Sequence, residues 1–152
     1  MGAVEDRLAE LGLSVPDVVK PVASYVPAVR GGTFVYTSGQ LPMRAGELMA
    51  TGKVGAGVTE EEGYACAQQC ALNVIAAVKA EVGDLSLVKR IVKVVVFVAS
   101  APDFTAQPKV ANGASELFGT VFGDAGVHAR SAVGVAALPL DAPVEVEAIV
   151  EL

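Results

Sequence analysis

The last stretch of the chain, Val144-Glu-Val-Glu-Ala-Ile-Val-Glu151, alternates residue by residue. Successive side chains of an extended strand point to opposite faces, so Val144, Val146, Ala148 and Val150 share one face and Glu145, Glu147, Ile149 and Glu151 the other. Such a strand belongs in a sheet whose apolar side is covered by a second layer. Two helix-length segments are available to cover it. Thr59-Glu-Glu-Glu62 is a capping box, opening a helix that runs to about Val82 and stops at Gly83. Cys66, Gln69, Cys70, Asn73, Ala77 and Ala80 recur along it at helical spacing, and its Ala-rich face permits close approach to a sheet. A second helix is expected over about 104–122, capped by Ser100–Asp103, interrupted near its start by Pro108 and ended by Gly123.

The other segments read as strands and turns. Residues 22–40 form a hairpin about Gly31-Gly32, with Thr33–Gln40 as its second strand; Pro16, Pro21 and Pro27 confine anything earlier to an edge. Residues 42–58 are a Gly-rich loop. Leu87–Ala99 is a long Val/Ile-rich strand, and its apolar run from Ile91, broken by Lys93, is too short to span a membrane. Ala129–Ala137 is a strand, and Leu138-Pro-Leu-Asp-Ala-Pro143 turns the chain into the final one. At the N-terminus, residues 4–12 read as a short helix with Val4, Leu8 and Leu11 on one face and Gly12 at its end. We divide the chain into an N-terminal helical extension, 1–15, and one domain, 16–152. The order ββαβαββ predicts an α+β fold, a sheet with both helices on one face. No helix remains for the other face, so packing against a second subunit is the simplest cover. A hydrophobic content of 53% and a mean hydropathy of +0.52 point the same way.

Charge and composition exclude several classes. The net charge is −6 and Lys and Arg are scattered, whereas a nucleic-acid surface needs a basic stripe; no nucleic-acid partner is expected. Two Cys and one His cannot supply a four-ligand zinc site, and Cys66 and Cys70 read as small core residues rather than a disulfide. The first residues are acidic and lack the apolar core of a signal peptide, which predicts a cytoplasmic protein with no membrane partner.

Four motifs in series resemble a known family. Tyr36-Thr-Ser-Gly-Gln-Leu-Pro42, the Val88-Lys89, Val95–Phe97 and Asp103-Phe104 segment, Ala129-Arg-Ser-Ala-Val-Gly-Val-Ala-Ala-Leu-Pro139, and Val144-Glu-Val-Glu-Ala-Ile149 occur in order across residues 20–152. They are similar to the motifs of the RidA/YjgF reactive-intermediate deaminase family, of which this chain resembles a divergent subgroup. The resemblance implies a chorismate-mutase-like mixed sheet and a homotrimer with clefts between subunits. It also implies hydrolysis of enamine and imine intermediates to 2-oxo acids and ammonia without cofactor or metal. By the same resemblance Arg130 grips the substrate carboxylate, Glu145 orients the attacking water, and Tyr25, Ser38 and Gly39 line the cleft. Ala132 stands where relatives often carry Cys, and Gly134 where they carry Glu. Asn112 matches an asparagine of the second helix in an ambiguous register, and His128 stands where the family has Pro.

The residues themselves leave some roles open. A guanidinium among small and apolar residues requires an acceptor partner, which is either a substrate carboxylate or a Glu of this chain. Glu145 positions water or belongs, like Glu147 and Glu151, to a solvated strand face. Tyr25 binds substrate or fills an edge, Ser38 binds substrate or serves a turn, and His128 touches the cleft or caps a surface element. If residues 138–143 close a hairpin, Arg130 lies opposite Val150 and Glu145 opposite Val135. The two would then be about 17 Å apart, so a site using both needs two subunits. Three functions follow: an imine deaminase, a non-catalytic carboxylate-binding regulatory trimer, or an endoribonuclease or translation inhibitor of the kind some relatives have been labelled.

Overall fold

The computed structural model describes residues 2–21 and 23–152. Five strands make one mixed sheet: β1 (Ala28–Gly31), β2 (Phe34–Thr37), β3 (Arg90–Ala99), β4 (Ala129–Val135) and β5 (Val144–Glu151). Their spatial order is β1-β2-β5-β3-β4. All neighbouring pairs are antiparallel except β3 and β4, which run parallel and are joined through a helix. Three helices accompany the sheet: α1 (Ala3–Glu10), α2 (Glu60–Val82) and α3 (Gln107–Phe122). The long helices α2 and α3 cover one face, as expected.

Alternation sorts the sheet into two faces. Val144, Val146, Ala148 and Val150 of β5 are buried with Val94, Val96 and Val98 of β3 beneath the helices. From α2, Cys66, Cys70, Val74, Ile75 and Val78 pack onto them, and Val110, Leu117, Phe118 and Val121 come from α3. The capping box is formed in full: the Thr59 hydroxyl accepts from the Glu62 N–H while the Glu62 carboxylate accepts from the Thr59 N–H. Cys66 and Cys70 are free and buried, and burial pushes the Cys66 thiol up to about 11 and that of Cys70 well above its ordinary value. Both are therefore protonated, unreactive core residues. Leu8 of α1 is fully buried beside α3, and Arg7 donates to the Val121 carbonyl at 3.1 Å near the end of α3. The Leu11 side chain is exposed instead of joining Val4 and Leu8, because the helix stops before reaching it; Gly12 reverses the chain there at φ +74°.

The expected hairpin of the last two strands is absent. β4 is an edge strand paired with β3, while β5 lies between β3 and β2. β5 buries a complete apolar face and so belongs under the helices, whereas the small, half-exposed residues of β4 suit an edge. A single 3-10 turn, Pro139–Asp141, with Leu140 and Asp141 at positive φ, helps carry the chain past β3. Other departures are local. The stretch 42–58 carries two minimal ladders, Met43-Arg44 with Glu47-Leu48 and Lys53-Val54 with Gly57-Val58, in place of a plain loop. The second helix begins at Gln107 rather than 104, and Pro108 sits in its first turn, where a missing N–H costs nothing. The β1–β2 hairpin forms about Gly32, at φ +61°, although its expected start at Val22 lies outside the described residues. Among the described residues no helix is long and apolar enough to cross a membrane.

The second face of the sheet has no helix over it. Tyr36 and Val133 are exposed there, with Val95, Phe97 and Ile149 half-buried. Together with Lys93, Glu147 and Glu145, they make a mixed apolar and charged surface.

Candidate functional site

The structure gathers the expected site residues into two groups. One lies at the end of β5. A cavity of about 430 Å³ is lined by Ala23, Tyr25, Ser38, Gly39, Pro139 and Glu145. Gln40 exchanges two backbone hydrogen bonds with Val146, at 2.8 and 3.0 Å, and thereby presses the Ser38-Gly39 turn against β5. The Ser38 hydroxyl donates to the Val26 carbonyl at 2.6 Å, which binds the Tyr25 segment to the same wall. Gly39 packs directly on the Glu145 carboxylate, and a Cβ there would overlap it. Gly39→Ala is therefore expected to swing Glu145 out of the cavity. The melting temperature should be nearly unchanged, because only the end of a flexible side chain must move to admit the Cβ. Loss of the fold in that variant would contradict this assignment.

Glu145 is half-buried, and burial, followed by the nearby Glu147 charge, raises its carboxyl above the ordinary carboxylate range. Two consequences follow. A reaction that uses Glu145 ionised should lose rate as pH falls through a value higher than that of an exposed glutamate. Because the folded-state pKa is raised, Glu145 favours the folded chain only while protonated, and that contribution is lost as pH rises through its folded value. Glu145→Gln should accordingly melt higher than wild type at neutral pH, with the difference vanishing in acid. A variant that melts lower at neutral pH would show the carboxylate to be stabilising instead.

The second group lies on edge strand β4 against α3. Arg130 pairs with Val94 and so points to the helix-covered side. Its Nη1 donates to Asn112 Oδ1 at 2.8 Å and to Ser115 Oγ at 3.2 Å, and Nη2 donates to the Pro108 carbonyl at 3.4 Å. Every partner is neutral, and among the described residues no carboxylate lies within ion-pair distance of Arg130. Asn112 therefore stands in direct contact with the guanidinium. His128 accepts from or donates to the same Ser115 Oγ at 2.9 Å through Nε2, and its Nδ1 meets the Gly126 carbonyl at 2.6 Å. Burial chiefly, with the Arg130 charge, holds its imidazole below the ordinary histidine value, against the opposing Gly126 bond. Ser115, three residues beyond Asn112 on the same face of α3, was not anticipated; the i, i+3 spacing of the two was the available signal, although the helix carries other polar residues as well.

Ala132 lies two residues along β4 on the same side as Arg130, half-buried against the core. At Gly134 a Cβ would meet Gln107 Nε2 at 2.7 Å and Ser100 Oγ at 3.2 Å. Gln107 fills the space a larger residue would take, donating to Ser100 Oγ at 3.2 Å and the Phe104 carbonyl at 2.8 Å.

Arg130 and Glu145 do not meet within one chain. Arg130 lies beside Val94 and Glu145 beside Phe97, on two strands separated by β3. Three residues of rise and two strand gaps set them about 14 Å apart, and they project from opposite faces of the sheet. The hairpin register expected from sequence was wrong, yet the separation survives in another form.

A five-stranded mixed sheet backed by two helices, with a carboxylate cavity on one side and an unneutralised guanidinium on the other, defines a chorismate-mutase-like α+β protein. The chain belongs to the YjgF/chorismate mutase-like family, whose description also names an endoribonuclease and which matches residues 5–152. Protein TCP17 of Trypanosoma cruzi is 49% identical over 99% of this chain and 95% of its own length. A 2-iminobutanoate/2-iminopropanoate deaminase of Dermatophagoides farinae is 36% identical over 91% of this chain and 93% of its own. In three dimensions the chain superposes on protein Atu1372 of Agrobacterium tumefaciens with a TM-score of 0.92 and 48% identity, over 99% and 93% of the two chains.

Proposed function

We propose that this protein hydrolyses reactive imines of amino acids, converting a 2-imino acid and water to a 2-oxo acid and ammonia, in clefts between the subunits of a homotrimer. The observation that carries the reading is the hydrogen-bond set of Arg130. Three neutral acceptors orient the guanidinium without cancelling its charge, which leaves it to bind a carboxylate from outside the chain. The deaminase relative supports the choice of substrate class.

Glu145 of a neighbouring subunit completes the site. As a carboxylate it accepts a proton from water as the water oxygen bonds to the C=N carbon and the π electrons pass to nitrogen, and it returns that proton to the nitrogen to give a carbinolamine. Glu145 then carries the carbinolamine hydroxyl proton to the amino nitrogen, the C–N bond breaks, and ammonia leaves as the C=O bond forms. Glu145, with its raised pKa, suits both the proton acceptance and the return. Tyr25, Ser38 and Gly39 form the wall around this water. Ala132 supplies no nucleophile on the arginine side, and hydrolysis of an imine by water requires none. A ribonuclease reading is disfavoured by a net charge of −6 and by a lone histidine bound on both ring nitrogens.

The test is ammonia release from 2-iminobutanoate generated in situ by an amino-acid oxidase. Wild type should accelerate it and Arg130→Ala should not. Equal rates in the two proteins would refute the assignment, and binding of a 2-oxo acid without ammonia release would make the protein a carboxylate-binding module instead.

A further inference from the structure

We infer that Ser115 and His128 are positioning residues for Arg130: a neutral His128 fixes the Ser115 hydroxyl so that its lone pairs face the guanidinium. The inference rests on the reading of Arg130 as the carboxylate grip. It follows from donor and acceptor accounting. The Gly126 carbonyl can only accept, and it lies 2.6 Å from His128 Nδ1, so Nδ1 carries the ring proton. In the neutral ring Nε2 then holds a lone pair, and the hydroxyl 2.9 Å away must donate to it. With its single proton committed to His128, Ser115 Oγ presents only lone pairs to Arg130 Nη1 at 3.2 Å.

The far end of this chain of bonds is anchored in the core. The His128 ring stands edge-on to Phe118, centroids 5.9 Å apart and planes at 86°, and Phe118 is fully buried. A serine within a helix ordinarily turns its hydroxyl back to a carbonyl one turn earlier. Here it is drawn outward to the histidine. The alternative protonation state is disfavoured by its neighbours. A charged imidazole would place a second cation on the oxygen that already serves Arg130, and burial and the guanidinium both oppose it. The motif resemblance assigns no such role, since the family carries Pro where His128 stands. β4 is an edge strand, held on one side only, so its arginine depends on contacts from α3 and from His128 for its position.

His128→Phe keeps a ring against Phe118 but removes the acceptor. It should raise the KM for 2-iminobutanoate, and the Kd for pyruvate, by about 5-fold, the scale of one hydrogen bond, with kcat within about 2-fold of wild type. Ser115→Ala should do the same, and the double variant should be no worse than either single one, since both break one chain. His128→Gln places an amide oxygen near the Nε2 position and should restore KM to within about 2-fold of wild type. Independently of any substrate, nitrogen-15 NMR should find His128 as the Nδ1–H tautomer in wild type and in Ser115→Ala alike, since the Gly126 carbonyl remains its acceptor, while the Nε2 resonance moves in the variant as the hydroxyl donor is lost. An Nε2–H ring in wild type, additive effects of the two substitutions, or a kcat loss with KM unmoved would each overturn the inference. Wild type that neither releases ammonia nor binds pyruvate would refute the parent reading, and the Ser115–His128 link would then be decided by the tautomer alone.

Discussion

Arg130→Ala chains and Glu145→Gln chains, each inactive by itself, should regain about a quarter of wild-type ammonia release when refolded together in equal amounts. The expectation follows from the opposite faces on which the two side chains stand. If each site takes its arginine from one subunit and its glutamate from the next, it is intact when the first carries Glu145→Gln and the second Arg130→Ala. Random assembly produces that arrangement at about one site in four. The deficit of the single variants should be large. Two charge-assisted hydrogen bonds to a carboxylate contribute about 3–5 kcal/mol together, so Arg130→Ala should lose on the order of 10²–10⁴-fold in kcat/KM. Because the partners of Arg130 in this chain are neutral, its removal strands no buried charge, and the variant should remain folded. A mixture that stays inactive although both chains fold and assemble would place the whole site within one subunit and overturn the proposed cleft.

Gly113→Ala should be the most destabilising conservative change in α3. At Gly113 the helix crosses α2 so closely that an added Cβ would overlap the Tyr64 carbonyl oxygen, with the Tyr64 carbonyl carbon at 3.0 Å and Ala67 Cβ at 3.2 Å. The obstacle is helical backbone, which cannot rotate away as a side chain can, so α2 and α3 must separate. Overpacking of this kind costs about 3 kcal/mol, equivalent to a melting temperature lower by roughly 6–12 °C in a domain of this size. Gly119 provides the control: it lies in the same helix, and a Cβ there meets nothing within 4 Å. Gly119→Ala should stabilise by about 0.5–1 kcal/mol through helix propensity alone. Thermal unfolding of the two variants side by side decides the matter. Equal effects would mean that the helix crossing is looser than described. Since Asn112 and Ser115 lie close to Gly113 on α3, widening the crossing should also displace two of the three partners of Arg130, coupling this stability defect to the site.

Much of the architecture was legible in the residues. The alternation of 144–151 specified a half-buried strand, the Thr59–Glu62 box specified a helix start, and Gly83 and Gly123 marked the two helix ends. These are local signals, determined by backbone geometry and by neighbours within a few residues. Tyr25, Ser38, Gly39 and Glu145, singled out through the motifs they carry, line one cavity of the chain. The order of strands was not. A short connection between two strands ordinarily favours a hairpin, and here residues 136–143 pass over β3 instead. One clue was available: nearly every residue from Ile91 to Ala99 is apolar, which is the mark of a strand buried on both faces and flanked on both sides.

The partners of Arg130 were beyond sequence reasoning for a related reason. Asn112, Ser115 and Pro108 come within reach because α3 packs across the edge of β4, and such contacts between distant segments leave no periodic trace. Sequence alone therefore determined where the main helices and strands form and which side chains carry charge or hydrogen-bonding groups, because those depend on local backbone preference and on side-chain type. Only the tertiary structure decided that β5 lies inside the sheet and β4 at its edge, and that the guanidinium faces neutral acceptors. Those outcomes arise from competition among whole surfaces for burial, which is settled when the layers close on one another.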